Sequence, residues 1–171
     1  MGGRNLSGLY PLEFAWRRVL VVAALQAMSL AVNAGWYVND AGPGKAGCLL
    51  ETEKISLFDG YADTRLRLSV AEGAVRVKTE SNIDSSFDDL GLTVDGKDFV
   101  PADAVVDEKD VLFNTATGSL IEQFIRGRTV TVYLRFWPTY PATQRYESRI
   151  SLAGFTRAYN DYQACNSKPP S

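Results

Sequence analysis

The chain has 171 residues, of which 18 are basic, 20 are acidic and none is histidine, so its formal net charge is −2. This length suffices for one domain with its own hydrophobic core. The slightly acidic balance argues against nucleic acid as a partner. The absence of histidine removes the commonest general base and metal ligand. We therefore expect neither a metal nor a cofactor.

The first 34 residues have the layout of a secretory signal peptide. Arg17 and Arg18 form a positive flank, residues 19–32 form an apolar run, and small residues precede a cleavage position after Ala34. The run is shorter than the ~20 apolar residues that a membrane-spanning helix needs, so an uncleaved anchor is the less favoured alternative. We expect a periplasmic or secreted domain over residues 35–165, whose link to a membrane is limited to this export signal.

Strand patterns begin soon after the signal segment. Residues 46–55 are a first strand candidate. Residues 64–70 and 74–79 alternate apolar and polar side chains on either side of the pair Glu72-Gly73. This pattern predicts an antiparallel hairpin with one buried and one solvated face.

A second hairpin is indicated further along the chain. Residues 90–94 and 97–100 flank the pair Asp95-Gly96, which is a strong turn signal. Short strand patterns follow at residues 104–106 and 110–113.

Helical and strand patterns alternate in the C-terminal part. Apolar residues recur at helical spacing over residues 117–126, a helix that Thr117 or Ser119 can cap and that Gly127 ends. Residues 129–137 alternate as a strand, and residues 145–152 form its hairpin partner.

The chain closes with a second helix over residues 154–164, whose apolar stripe predicts packing against the body of the domain. A flexible tail follows over residues 166–171. The predicted fold is therefore a mainly β, antiparallel, sandwich-like single domain with two short α-helices.

Cys48 and Cys165 are the only cysteines in the chain. In an oxidising compartment they become a candidate disulfide. A structural role is favoured over a redox role because no Cys-x-x-Cys motif is present to tune their reactivity. The bridge would tie the first strand to the last helix and close a long loop, which stabilises the folded state by about 4–5 kcal/mol.

The order of motifs in the C-terminal half resembles a known family. A helix leads through an Arg-Gly-Arg corner at residues 126–128 into a strand, and a later strand leads through Leu-x-Gly-Phe at residues 152–155 into a closing helix. With Trp36 near the mature N-terminus, this order is similar to the invasion-associated locus B family of small bacterial periplasmic proteins. The resemblance covers mainly residues 117–160. It implies a β-sandwich-like body and an association with host-cell invasion, without an agreed biochemical activity.

The segment Phe-Trp-Pro-Thr-Tyr-Pro at residues 136–141 is the strongest candidate for a binding surface. Two prolines stiffen a hairpin tip that carries Trp137 and Tyr140, and stiff aromatic side chains lose little entropy on binding. Arg135 and Arg145 flank the tip and could meet an acidic partner. The alternative is that Trp137 folds back onto the sheet as part of the core.

Charge is unevenly distributed. Residues 84–110 carry nine acidic side chains and two lysines, whereas residues 126–157 carry six arginines and one glutamate. Solvated loops and strand faces account for such runs in most proteins, and the alternative is a molecule with an acidic side and a basic side.

These features favour a non-enzymatic protein of the bacterial envelope that binds an unidentified protein or envelope component, with a virulence role implied only by the resemblance. One alternative is an inhibitor or immunity-type binder of a secreted enzyme. Another is a small cell-wall hydrolase that uses paired carboxylates. An open cleft with two close carboxylates would favour the hydrolase, and a protruding aromatic tip would favour a binder.

Overall fold

The computed structural model describes residues 35–40, 47–138 and 144–167. The predicted signal peptide and the last four residues of the predicted tail lie outside this part of the chain. The strands are β1 (Trp36–Asp40), β2 (Cys48–Thr52), β3 (Ile55–Phe58), β4 (Asp63–Ala71), β5 (Ala74–Thr79), β6 (Gly91–Val94), β7 (Val100–Pro101), β8 (Ala104–Val106), β9 (Asp110–Phe113), β10 (Thr129–Leu134) and β11 (Tyr146–Ser151). The helices are α1 (Thr117–Arg126) and α2 (Phe155–Asn166).

The larger of two antiparallel sheets has seven strands. Six of them follow the order β1-β2-β4-β5-β9-β8, and β3 pairs with the first half of β4 while β2 pairs with the second half. The predicted single strand over residues 46–55 is therefore two strands, because the chain leaves the ladder at the exposed Glu53 and Lys54. The predicted β4–β5 hairpin is confirmed, with Glu72 and Gly73 both at positive φ in its turn.

The smaller sheet has the order β11-β10-β6-β7. Both of its predicted hairpins are confirmed, since β10 pairs with β11 and β6 pairs with β7 around Asp95 and Gly96. Backbone pairing between Ile83 and Phe136 extends the β10 side of this sheet toward the acidic loop.

One hydrophobic core is shared by the two sheets and the two helices, which confirms the mainly β, sandwich-like single domain. Alternate residues of β10 point into this core, where Val130, Val132 and Leu134 are fully buried. The largest fully buried side chains are Phe113, Phe124, Phe136 and Phe155.

The two helices lie where the sequence predicted them. α1 has the predicted bounds, and α2 begins one residue later and ends two residues later than expected. The predicted caps of α1 are wrong: the N-cap is Ala116 and has no side-chain hydrogen bond. The hydroxyl of Thr117 instead donates to the Phe113 carbonyl, and that of Ser119 donates to the Ala116 carbonyl, so neither accepts from a helix N–H.

Gly127 ends α1 as predicted, and glycine is needed there because no room is left for a side chain. Its backbone is extended, with φ −87° and ψ 174°, a conformation open to any residue. A Cβ atom at this position would lie 2.6 Å from Cγ1 of Val94 and 2.8 Å from the Gln123 carbonyl oxygen. The corner thus needs glycine because the helix end packs tightly against β6.

The C-terminal helix is tied to the start of the domain at two places. The predicted disulfide between Cys48 and Cys165 is present. At the other end of α2, the ring of Trp36 packs edge-on against Phe155 at 4.9 Å, and its Nε1–H donates to the Ser151 carbonyl at 2.9 Å. β1 was not predicted as a strand, and these contacts explain why it joins the sheet.

Candidate functional site

Three aromatic side chains are exposed at one end of the molecule. Phe58 at the end of β3 is 52% exposed, and Tyr61 in the following loop and Trp137 after β10 are each 54% exposed. The expectation that Trp137 lies at the surface agrees with this placement, and the alternative that it forms part of the core does not. Tyr140 lies outside the described residues.

Backbone and side-chain contacts hold these aromatics near one another. The Trp137 N–H donates to the Asn82 carbonyl at 2.9 Å, and the neighbouring Ser81 hydroxyl donates to the Asp59 carboxylate at 2.6 Å. Asp59 in turn accepts from the N–H groups of the loop that carries Tyr61. The β3–β4 loop and the chain that follows β10 therefore meet at the segment around residue 81.

Tyr146 forms the base beneath this end. Its ring lies 5.8 Å from that of Phe136 and 6.5 Å from that of Phe58. It is 9% exposed, and its hydroxyl has no hydrogen-bond partner among the described residues. Phe58 thus packs on a largely apolar base formed by Tyr146 and Phe136. We refer to Phe58, Tyr61 and Trp137 as the aromatic end.

Arg135 has an acidic partner within the chain. Its guanidinium group donates two hydrogen bonds to the Asp89 carboxylate, at 2.8 and 2.7 Å, and lies 4.1 Å from the ring centre of Phe87. The hydrogen bonds from Arg135 lower the pKa of Asp89, and those to Asp89 raise the pKa of Arg135. Arg135 therefore anchors the acidic loop to the chain that follows β10. The acid that it contacts in the structure is Asp89 of the same chain and not a group of a partner.

Arg145 lies on the outer face of the smaller sheet. Its guanidinium carbon is 4.3 Å from the ring centre of Tyr133, and its Nη2 is 3.8 Å from the Glu147 carboxylate. Both charged side chains are more than a third exposed, so this ion pair contributes little to stability. The Arg145 side chain therefore lies over the outer surface of β10 and β11, in contact with Tyr133 and Glu147.

The pKa lies below its ordinary value at Asp59, Glu80, Asp89 and Asp103. Burial raises the pKa of Asp59, but hydrogen bonds from Ser81 and from two backbone N–H groups outweigh it. The hydroxyl and N–H of Thr115 lower the pKa of Asp103. A glycosidase needs one carboxyl group with a raised pKa to act as general acid. The hydrolase alternative stays a prediction.

Sequence reasoning missed Phe58 and Tyr61. They flank Asp59 and Gly60, and an aromatic-Asp-Gly-aromatic segment between two strand patterns is a local signal of an exposed turn. That signal could have identified the loop. It could not have placed the loop beside Trp137, which is more than seventy residues away along the chain.

In comparisons with protein-family models, curated proteins and solved structures, no match to this chain was found. Neither helix in the described part of the chain is long and apolar enough to cross a membrane. Within the same residues, no group of three or more cysteine, aspartate or glutamate side chains is placed to hold a metal ion.

Proposed function

We propose that this chain is an exported, non-enzymatic protein of the bacterial envelope that binds a protein or another envelope component through the aromatic end. The observation that carries the proposal is the exposure of Phe58, Tyr61 and Trp137, each by about half, at the same end of the fold. Export is inferred from the signal pattern in the first 34 residues, and the disulfide is consistent with an oxidising compartment.

The size of the aromatic end supports a role as the centre of an interface. An aromatic side chain buries about 150–250 Å² when fully covered, so three half-exposed rings present roughly 300 Å² of apolar surface. Patches of this size on single chains are often binding sites. A stable protein interface needs about 800 Å² on each side, so the aromatic end supplies its anchors and the surrounding polar surface supplies the rim.

The base beneath the aromatic end favours tight binding. Because Tyr146 packs behind Phe58 and is itself backed by Phe136, the Phe58 ring loses less conformational freedom when a partner covers it. The resemblance to the invasion-associated locus B family supports an envelope location and gives no partner. If the bound partner is a secreted enzyme, the inhibitor or immunity-type alternative is favoured.

A capture experiment with matched variants tests the proposal. The oxidised domain is immobilised and exposed to periplasmic and culture-supernatant fractions, and bound material is identified by mass spectrometry. The test variant is Phe58→Ala with Trp137→Ala. The control is Ile125→Ala, which removes an apolar side chain that is 42% exposed on α1.

We expect a partner that the wild-type and control proteins capture and the double variant loses. Binding of that purified partner should weaken by at least about tenfold in the double variant, as expected when two anchor side chains are truncated. If no partner is captured, or if the double variant retains it, the aromatic end is not a binding surface. Thermal melting of all three proteins checks that the variants remain folded.

A further inference from the structure

A groove with a basic lining lies on the outer face of the smaller sheet. It runs from the corner between α1 and β10 along β10 as far as Tyr133, and none of its lining residues belongs to the aromatic end. Its volume is about 710 Å³. Among its lining residues are Asp95, Arg126, Arg128, Thr131, Tyr133 and Arg149. Three arginines and one aspartate give the lining a net charge of opposite sign to that of the whole chain.

The strand register explains why these side chains meet. Val130 and Val132 of β10 point into the core, so Thr131 and its neighbours on alternate positions point outward. Arg149 of β11 lies directly opposite Thr131. Arg128 enters the groove from the tight corner at Gly127. The chain thus gathers arginines from a helix end and two strands onto one face.

The charges at the corner are only weakly compensated. Arg128 makes no ion pair within the described residues, and the ion pair between Arg126 and Glu122 is long at 3.9 Å, with both side chains at least 70% exposed. The Asp95 Oδ1 accepts hydrogen bonds from the backbone N–H groups of Arg128 and Thr129, and among the described residues its carboxylate forms no ion pair with the side chain of Arg126 or Arg128. The guanidinium groups at the corner therefore face solvent with their charge available to an anion.

The other lining groups restrict the kind of anion. The lining offers hydroxyl groups from Thr129 and Tyr133, whereas Thr131 is only 8% exposed, and the lining has no exposed aliphatic side chain to anchor a protein partner. The guanidinium group of Arg145 covers one face of the Tyr133 ring, and Phe99 packs against the same ring at 5.9 Å. An unstacked base would need an open aromatic face, so this ring is a poor platform for single-stranded nucleic acid.

We propose that this groove binds an anionic polysaccharide, a sugar chain that carries carboxylate, sulfate or phosphate groups. Guanidinium groups pair with such oxyanions through charge-assisted hydrogen bonds, and the threonine and tyrosine hydroxyls match the hydroxyl groups of the sugar rings. The groove volume is within the range of ordinary ligand sites. This site is separate from the aromatic end, and either proposal can fail without the other.

Equilibrium binding to defined polymers tests the proposal. Alginate provides carboxylate groups and dextran sulfate provides sulfate groups, and neutral dextran, poly-L-glutamate and a single-stranded oligonucleotide serve as comparisons. The test variant is Arg126→Gln with Arg128→Gln. The control is Lys54→Gln with Lys78→Gln, which removes the same charge from exposed positions on the larger sheet.

We expect at least one anionic polysaccharide to bind more tightly than the three comparison polymers. Its affinity should fall by about tenfold in the arginine variant and by less than about twofold in the lysine control. The Phe58→Ala, Trp137→Ala variant should bind it as the wild type does.

Three results would overturn the proposal: no binding to either anionic polysaccharide, equal or tighter binding to poly-L-glutamate or the oligonucleotide, or unchanged binding by the arginine variant. If thermal melting shows that the arginine variant does not fold, polysaccharide binding by the Arg149→Glu variant tests the proposal instead. This single charge reversal lies on the opposite side of the groove and should also weaken binding by about tenfold.

Discussion

Loss of the Cys48–Cys165 bridge should be the most damaging covalent change to this domain. The two cysteines are 117 residues apart along the chain, and closing a loop of this length lowers the entropy of the unfolded state enough to stabilise the fold by about 5 kcal/mol. For a domain of this size, that difference corresponds to a fall in Tm of about 15–20 °C. The remaining contacts of α2, including the edge-on packing of the Phe155 ring against Trp36 and Phe124, should keep the helix docked at low temperature.

Thermal unfolding followed by circular dichroism measures this effect. The oxidised protein is compared with the protein in a thiol reductant and with the Cys48→Ser, Cys165→Ser variant, on which the reductant should have no effect. The two forms without the bridge should melt at similar temperatures, well below the oxidised protein. A fall in Tm of less than about 5 °C would refute the entropic argument. Two reactive thiols in the native protein before reduction would show that the bridge does not form.

Three further substitutions follow from the contacts. Asp89→Asn should cost about 1–2 kcal/mol at pH 7 in urea unfolding, because Arg135 loses its charged partner. Because the pKa of Asp89 is lowered in the folded state, the wild type loses this stabilisation as the pH falls below about 4. The free energies of unfolding of the two proteins should therefore become equal in acid. A difference that stays the same at every pH would contradict this argument. Tyr146→Phe should change stability by less than about 1 kcal/mol, since its buried hydroxyl has no described partner, and a larger loss would reveal one. Gly127→Ala should cost about 1–3 kcal/mol through the clash with Val94, and an unchanged melting temperature would contradict the close packing.

The hairpins and helices could be predicted because their signals are local. The β4–β5 hairpin combines strict alternation with a glycine turn, and α1 combines helical spacing with a glycine at its end. The segment at residues 46–55 was predicted as one strand, although its polar residues Glu53 and Lys54 lie where the chain leaves the ladder. Their division into β2 and β3 depends on which half of β4 each segment pairs with.

In the candidate site, too, contacts between residues far apart in the sequence could not be predicted from local patterns. From the sequence, Arg135 was a candidate contact for an acidic partner, and the fold pairs it with Asp89, 46 residues away. Trp137 could be identified from its setting between strand and proline, but the position of Phe58 depends on the pairing of β3 with β4 and on its contact with Tyr146. No pattern within a short window of sequence contains these pairings.

The sequence by itself determined the fold class, most of the elements and the pairing of the only two cysteines. These follow from periodicity, turn residues and composition, which act over a few neighbouring residues or over the whole chain. Only the tertiary structure decided which exposed aromatics share one end, which arginine is neutralised within the chain and which arginines line one groove. Those relations depend on strand order and register, and a register shift of one residue would turn every side chain to the opposite face.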